Sequence, residues 1–176
     1  TTTTKATLKA NGKIVKKCSA CGTVASTTTI KYAKTFKLST TTYTYNGKAK
    51  TPTVTVKDSA GKTLKKNVDY KVTYASGRKK VGTYKVTIKM MGKYSGTKTL
   101  SFKIYPVKTS VKKLTTGTKS LKVSITKKSA QVTGYQVQYS TSKKFTKSTT
   151  KVATVKSYKT TTTTLKKLKA KKTYYV

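Results

Sequence analysis

Few residues in this 176-residue chain could do chemistry. They are Cys18 and Cys21, Asp58 and Asp69, and a large population of lysines; there is no histidine. Cys18-Ser-Ala-Cys21-Gly22 has the spacing of a metal knuckle, but a structural zinc site needs four ligands, and the chain has no other cysteine. A thioredoxin-type redox site expects a βαβ setting, which the surrounding pattern lacks. The pair therefore reads as a local disulfide or a relict knuckle capping a hairpin, with a metal shared between two chains as the remaining alternative. General acid–base catalysis needs a tuned proton donor or acceptor. Asp58 falls in the turn Asp58-Ser-Ala-Gly61 and Asp69 at a strand start, so each has a plain local role. A Gly-rich phosphate loop before a helix is missing as well. The expectation is a chain that is not an enzyme and binds no cofactor. A Lys–Asn isopeptide bond would need a carboxylic acid in a dry core. Asn46 and Asn67 are its candidate asparagines, with Asp69 the only acid close in sequence.

The charge is extreme, with 41 Lys plus Arg against 2 acids and a formal charge of +39. Only Arg78 is an arginine. Lysine is a solvated point charge and a poor bidentate fork. The lysines recur along the whole chain, which fits a wet outer face on every strand and a guard against edge-to-edge aggregation. Attraction to polyanions is the other reading, acting within about 8 Å at physiological salt. Acidic partner domains elsewhere in a longer chain would explain the shortage of acids. Thirteen tyrosines could stack on bases or sugars. Most fall on the inward face of a strand, while Tyr94 and Tyr158 lie off the alternating strands and are freer to meet a ligand. No apolar run reaches the roughly 18 residues of a membrane span, so no membrane insertion is expected. With no signal peptide at Thr1, the chain reads as a mature or internal fragment.

The elements that must position these groups are strands. Val68, Tyr70, Val72 and Tyr74 alternate with polar residues, as do Tyr84, Val86, Ile88 and Met90, and Leu100, Phe102 and Ile104. A period of two predicts strands with one buried face. Upstream, Thr1–Thr4 reads as a linker end, and Asn11-Gly12 and Asn46-Gly47 as hairpin turns. Residues 24–30 read as a short strand, 31–37 as a connector, and Gly82 as a bulge. Downstream, 107–118 reads as a boundary, followed by strands at 121–125 and 135–139, around Val152 and Val155, and at 165–168.

Two resemblances follow from these residues. The run Leu38 to Pro52 with Tyr43, Tyr45 and Asn46-Gly47, then Asp69-Tyr70, Val81-Gly82 and Gly92-x-Tyr94-x-Gly96, resembles the bacterial Ig-like repeats of Gram-positive surface proteins. The last block resembles a fibronectin type III domain. Gly134-Tyr135-x-Val-x-Tyr139-Ser matches its third strand, and Leu168 to Tyr174 its tyrosine corner. The usual buried Trp position is Ile125, and the pattern stops inside a sixth strand. The missing edge strand either follows in the native protein or comes from another chain. The resemblance implies an all-β chain of tandem Ig-like and fibronectin-like β-sandwiches with a small N-terminal β-hairpin module. The expected divisions are a Cys-x-x-Cys hairpin module (1–34), an Ig-like sandwich (35–106) and an incomplete fibronectin-like domain (107–176). It further implies a secreted or cell-surface structural or adhesive segment of a Gram-positive bacterium. Expected partners are anionic polymers or glycans, and neighbouring copies through the open edge.

Overall fold

A computed structural model describes residues 1–176, all of them in strands, turns and loops. The chain is all-β and divides into two compact units, Thr1–Tyr105 and Pro106–Val176.

In the first unit, β1 (Thr2–Thr4), β2 (Gly12–Lys17) and β3 (Val24–Ile30) form one antiparallel sheet in that order. β4 (Ala33–Leu38) pairs with β6 (Val54–Asp58). A four-stranded sheet runs β5 (Thr42–Thr44), β9 (Thr97–Tyr105), β8 (Gly82–Met90), β7 (Tyr70–Tyr74), with β5 parallel to β9. The period-two faces become its core: Val86, Ile88, Met90, Phe102 and Ile104 are buried with Leu38, Val54 and Val56 of the two-stranded sheet. Two tyrosines of β7 stitch the layers together. Tyr70 Oη donates to Val54 O at 3.1 Å and Tyr74 Oη to Pro52 O at 2.7 Å. Burial pushes both phenols above their usual range, so they keep these donated protons into more alkaline solution.

Several expectations change here. The separate module expected over 1–34 is part of the first unit, because Ala6, Ile30 and Ala33 are buried in the same core as Val56 and Phe102. Thr1–Thr4 is no mere linker: β1 pairs with β2, with Thr2 opposite Val15. An edge strand needs only backbone partners, so its exposed threonines leave no hydrophobic signal. The connector expected over 31–37 is mostly strand β4. A register shift between Ala33 and Thr35 puts Ala33, Phe36 and Leu38 out of simple alternation, which hides the strand from a period-two reading. Neither Asn-Gly forms a two-residue hairpin. The turn before β2 is built on Thr7, whose Oγ1 accepts from the N–H groups of Lys9 and Ala10. Gly12 is required by close approach, since a Cβ there would lie 2.3 Å from Thr4 O. Asn46 Oδ1 accepts from Lys48 N–H inside the long 45–53 loop. Val68 is 59% exposed, because a turn through left-handed Asn67 precedes β7. Gly82 opens β8 with no register shift against β9.

In the second unit, β10 (Val111–Gly117), β11 (Ser120–Ile125) and β14 (Thr162–Leu165) form one sheet in that order. β12 (Tyr135–Ser140) and β13 (Thr150–Val155) form another. Leu121, Val123, Ile125, Val137, Val155 and Leu165 fill the core. The boundary stretch 107–118 contains β10, which is exposed throughout and held by its ladder to β11. The strand expected over 165–168 instead ends at Leu165, and the chain turns away through left-handed Lys167.

Tyr135 ties this unit together in a way that alternation alone does not announce. It is 7% exposed, and its hydroxyl bonds to Lys128 N–H at 2.8 Å and reaches the carbonyls of Lys128 and Tyr158, each at 3.0 Å. Tyr135→Phe keeps the ring and removes these bonds. We expect it to lower the stability of this unit by about 1–2 kcal/mol, read by urea unfolding, since a part-buried N–H and a part-buried carbonyl lose their hydroxyl partner. An unchanged midpoint would mean that water replaces the hydroxyl without loss.

Candidate functional site

The second unit carries a basic groove of ≈ 580 Å³, lined by Lys151, Lys166, Lys167, Lys169 and Lys172 with Tyr139, Tyr174 and Tyr175. One wall is β12–β13. The other is the 166–175 segment, which the chain holds in place by backbone bonds. Leu168 N–H donates to Lys119 O at 2.9 Å, and Tyr175 exchanges two backbone bonds with Ser140, at 2.8 and 2.9 Å. Ser140 is buried, and its Oγ donates to Thr149 Oγ1 at 2.8 Å. Tyr174 Oη accepts from Lys169 N–H at 3.0 Å, and its ring lies 6.4 Å from that of Tyr139. Leu168 packs against the core below. Lys167 and Lys171 adopt φ of 58° and 54°, which bends the segment so that lysines separated in sequence line one groove.

No Asp or Glu side chain competes for these lysines within the unit, because the chain's two, Asp58 and Asp69, lie in the first unit. Those acids are also committed to backbone groups. Asp58 Oδ1 accepts from Ala60 and Lys62 N–H, each at 2.9 Å, and Asp69 Oδ2 from Lys65 N–H at 2.8 Å. Lysines and tyrosines lining one groove, with no carboxylate side chain to neutralise them, attract extended polyanions.

The remaining sequence candidates are dispersed. Cys18 and Cys21 stand as exposed free thiols at the tip of the β2–β3 hairpin, not as a closed disulfide. No group of three or more His, Cys, Asp or Glu side chains lies together. Asn46 Oδ1 meets Lys50 Nζ at 2.7 Å, yet on an exposed loop and not in the dry core that an isopeptide bond requires. Asn67 is an exposed turn residue. Tyr94, expected to be free for a ligand, is 3% exposed, because its segment pairs with Ala6 and carries the ring into the core. Tyr158 is half-buried against the core of the second unit. Arg78 is stacked on Tyr74 at 5.6 Å and donates to Ala75 O at 3.3 Å, so its fork is partly occupied. Sequence reading missed the groove itself. Its linear trace is the run Lys166-Lys-Leu-Lys-Ala-Lys-Lys172, five lysines in seven residues and denser than the rest of the chain, which the strand pattern gave no reason to single out.

No helix in the chain is long and apolar enough to cross a membrane. No family model, curated protein or solved structure matches the chain.

Proposed function

We propose that the chain is an extracellular structural segment of a bacterial surface protein: a spacer, stalk or surface-fibre subunit without catalytic activity. In this reading the first unit holds an Ig-like sandwich and the second a fibronectin type III-like one. The observation that carries it is the strand order of the second unit. Its first, second and fifth strands share one sheet, its third and fourth another, and Tyr175 bridges onto the third at Ser140. Ig-type sandwiches place strands A, B and E together and C with F opposite, with an added C′ beside C. The Tyr174 hydroxyl bond to the chain five residues upstream supports a tyrosine corner. In the first unit, the tyrosine bonds from β7 to β6 and its approach support two packed layers.

A load-bearing role predicts mechanical resistance in each unit. Single-molecule pulling should give two unfolding events. From a rise of about 3.3–3.6 Å per extended residue, their length gains should be roughly 35 nm and 24 nm for the two units. Antibody against the chain should label intact cells of the source organism. Extension without force peaks, or labelling only after lysis, would remove the proposal. The lysine groove favours a second reading, in which the segment also holds an anionic polymer through the second unit.

A further inference from the structure

The Cys18–Cys21 turn is used by neither reading, and its surroundings are unlike those of a buried structural thiol. Residues 16–29 are exposed, so the hairpin tip stands clear of the core. The turn is closed by Gly22 N–H to Cys18 O at 3.1 Å and Cys18 N–H to Thr23 O at 2.9 Å. This brings the two side chains within hydrogen-bonding reach of one another, and Cys21 Sγ also meets Thr23 Oγ1. Lys16 and Lys17 on the hairpin arm are the charged residues adjoining the turn in the chain. Two thiolates fall two ligands short of a tetrahedral zinc site.

We infer that this turn is a thiol–disulfide exchange site, which takes an exposed disulfide as its co-substrate. Cys21 is the attacking group. The Thr23 hydroxyl, the Thr23 backbone and the Cys18 thiol all stabilise its thiolate and lower its pKa from 9.0 to about 7. A thiol titrating near ambient pH is the best placed for attack. The Cys21 thiolate attacks one sulfur of the disulfide, forms a mixed disulfide and expels one thiolate. The Cys18 thiolate then attacks the Cys21 sulfur, closes the Cys18–Cys21 bond and expels the second thiolate. The chain loses two electrons and two protons, and the partner disulfide becomes two thiols. Before Cys18 acts, the partner is covalently tethered to the hairpin. The local disulfide expected from the Cys-x-x-Cys spacing is the product of this reaction.

Oxidised glutathione tests this on the reduced full chain, followed by intact mass across pH 6–9. The wild type should lose two hydrogens with little adduct. Cys18→Ser should gain one glutathionyl group at Cys21. Native Cys18→Ser should react at pH 7 roughly three- to sixfold faster than the same variant unfolded in urea, the thiolate gain outweighing the fall in nucleophilicity. Thr23→Val removes the largest stabilising contact from an exposed position and should raise the pH midpoint of Cys21 in the folded protein. Equal rates for native and unfolded chains, or an unmoved midpoint in Thr23→Val, would overturn the inference. So would a wild type that accumulates adduct without closing its own disulfide.

Discussion

Phe102→Ala should destabilise the first unit by about 3–5 kcal/mol, the usual cost of emptying a buried aromatic site. Phe102 is 1% exposed and sits on β9, between β5 and β8. Its ring meets the Tyr43 ring edge-on at 5.6 Å and the Tyr84 ring at 5.7 Å. Truncation removes the packing of both tyrosines as well as the buried area of the phenylalanine. A domain this size is stable by about 5–15 kcal/mol, so the loss is a large share. In urea, with an m-value near 2 kcal/mol/M, the unfolding midpoint should fall by roughly 2 M. The transition of the second unit should hold its position, since its core is a separate cluster. Phe102→Leu should cost much less, because it leaves a smaller cavity. A loss below about 1 kcal/mol for alanine would mean that the strands collapse onto the space, and that this ring does not anchor the core.

The second large effect concerns the groove. An oligothymidylate strand should bind the chain at low salt and be released steeply as salt rises. With six to ten phosphate contacts on a single strand the affinity falls about 300- to 10⁴-fold between 50 and 200 mM. Replacing Lys151, Lys166, Lys169 and Lys172 by Gln should flatten the log–log salt slope by about 3, at roughly 0.7 per contact on a single strand. Replacing four exposed lysines of the first unit, Lys9, Lys16, Lys17 and Lys31, supplies the control, as it removes equal charge away from the groove. The control should leave most of the slope intact. Equal losses in the two variants would show that the net charge of +39 acts diffusely and that the groove is not a site. No binding even at 50 mM salt would remove the polymer reading and leave the structural one untouched.

Strands with a buried face were legible in the sequence because burial imposes a repeat on residue type. β7, β8, β11 and β12 each carry large apolar residues at every second position, and each lines a core. The Cys-x-x-Cys spacing was plain as well, but spacing alone left the pair open between a disulfide, a relict knuckle and a shared metal. What stayed hidden was held by backbone pairing or by contacts distant in sequence. β1 and β10 are exposed along their whole length and are kept by ladder bonds alone, so no side-chain pattern marks them. The β4 bulge erased the alternation that a buried strand would otherwise show.

Residue type and spacing by themselves thus determined the all-β class, the inward faces of the longer strands and the outward lysines, because side chains on a pleated strand must alternate between oil and water. Tertiary structure alone decided that residues 1–34 share a core with the following segment and that Tyr94 is buried. It alone gathered Lys151 with Lys166, Lys169 and Lys172 beside Tyr139 and Tyr174. Those juxtapositions depend on where loops return the chain, and a left-handed residue or a single backbone bridge such as Ser140 to Tyr175 redirects a segment without altering its hydrophobic pattern.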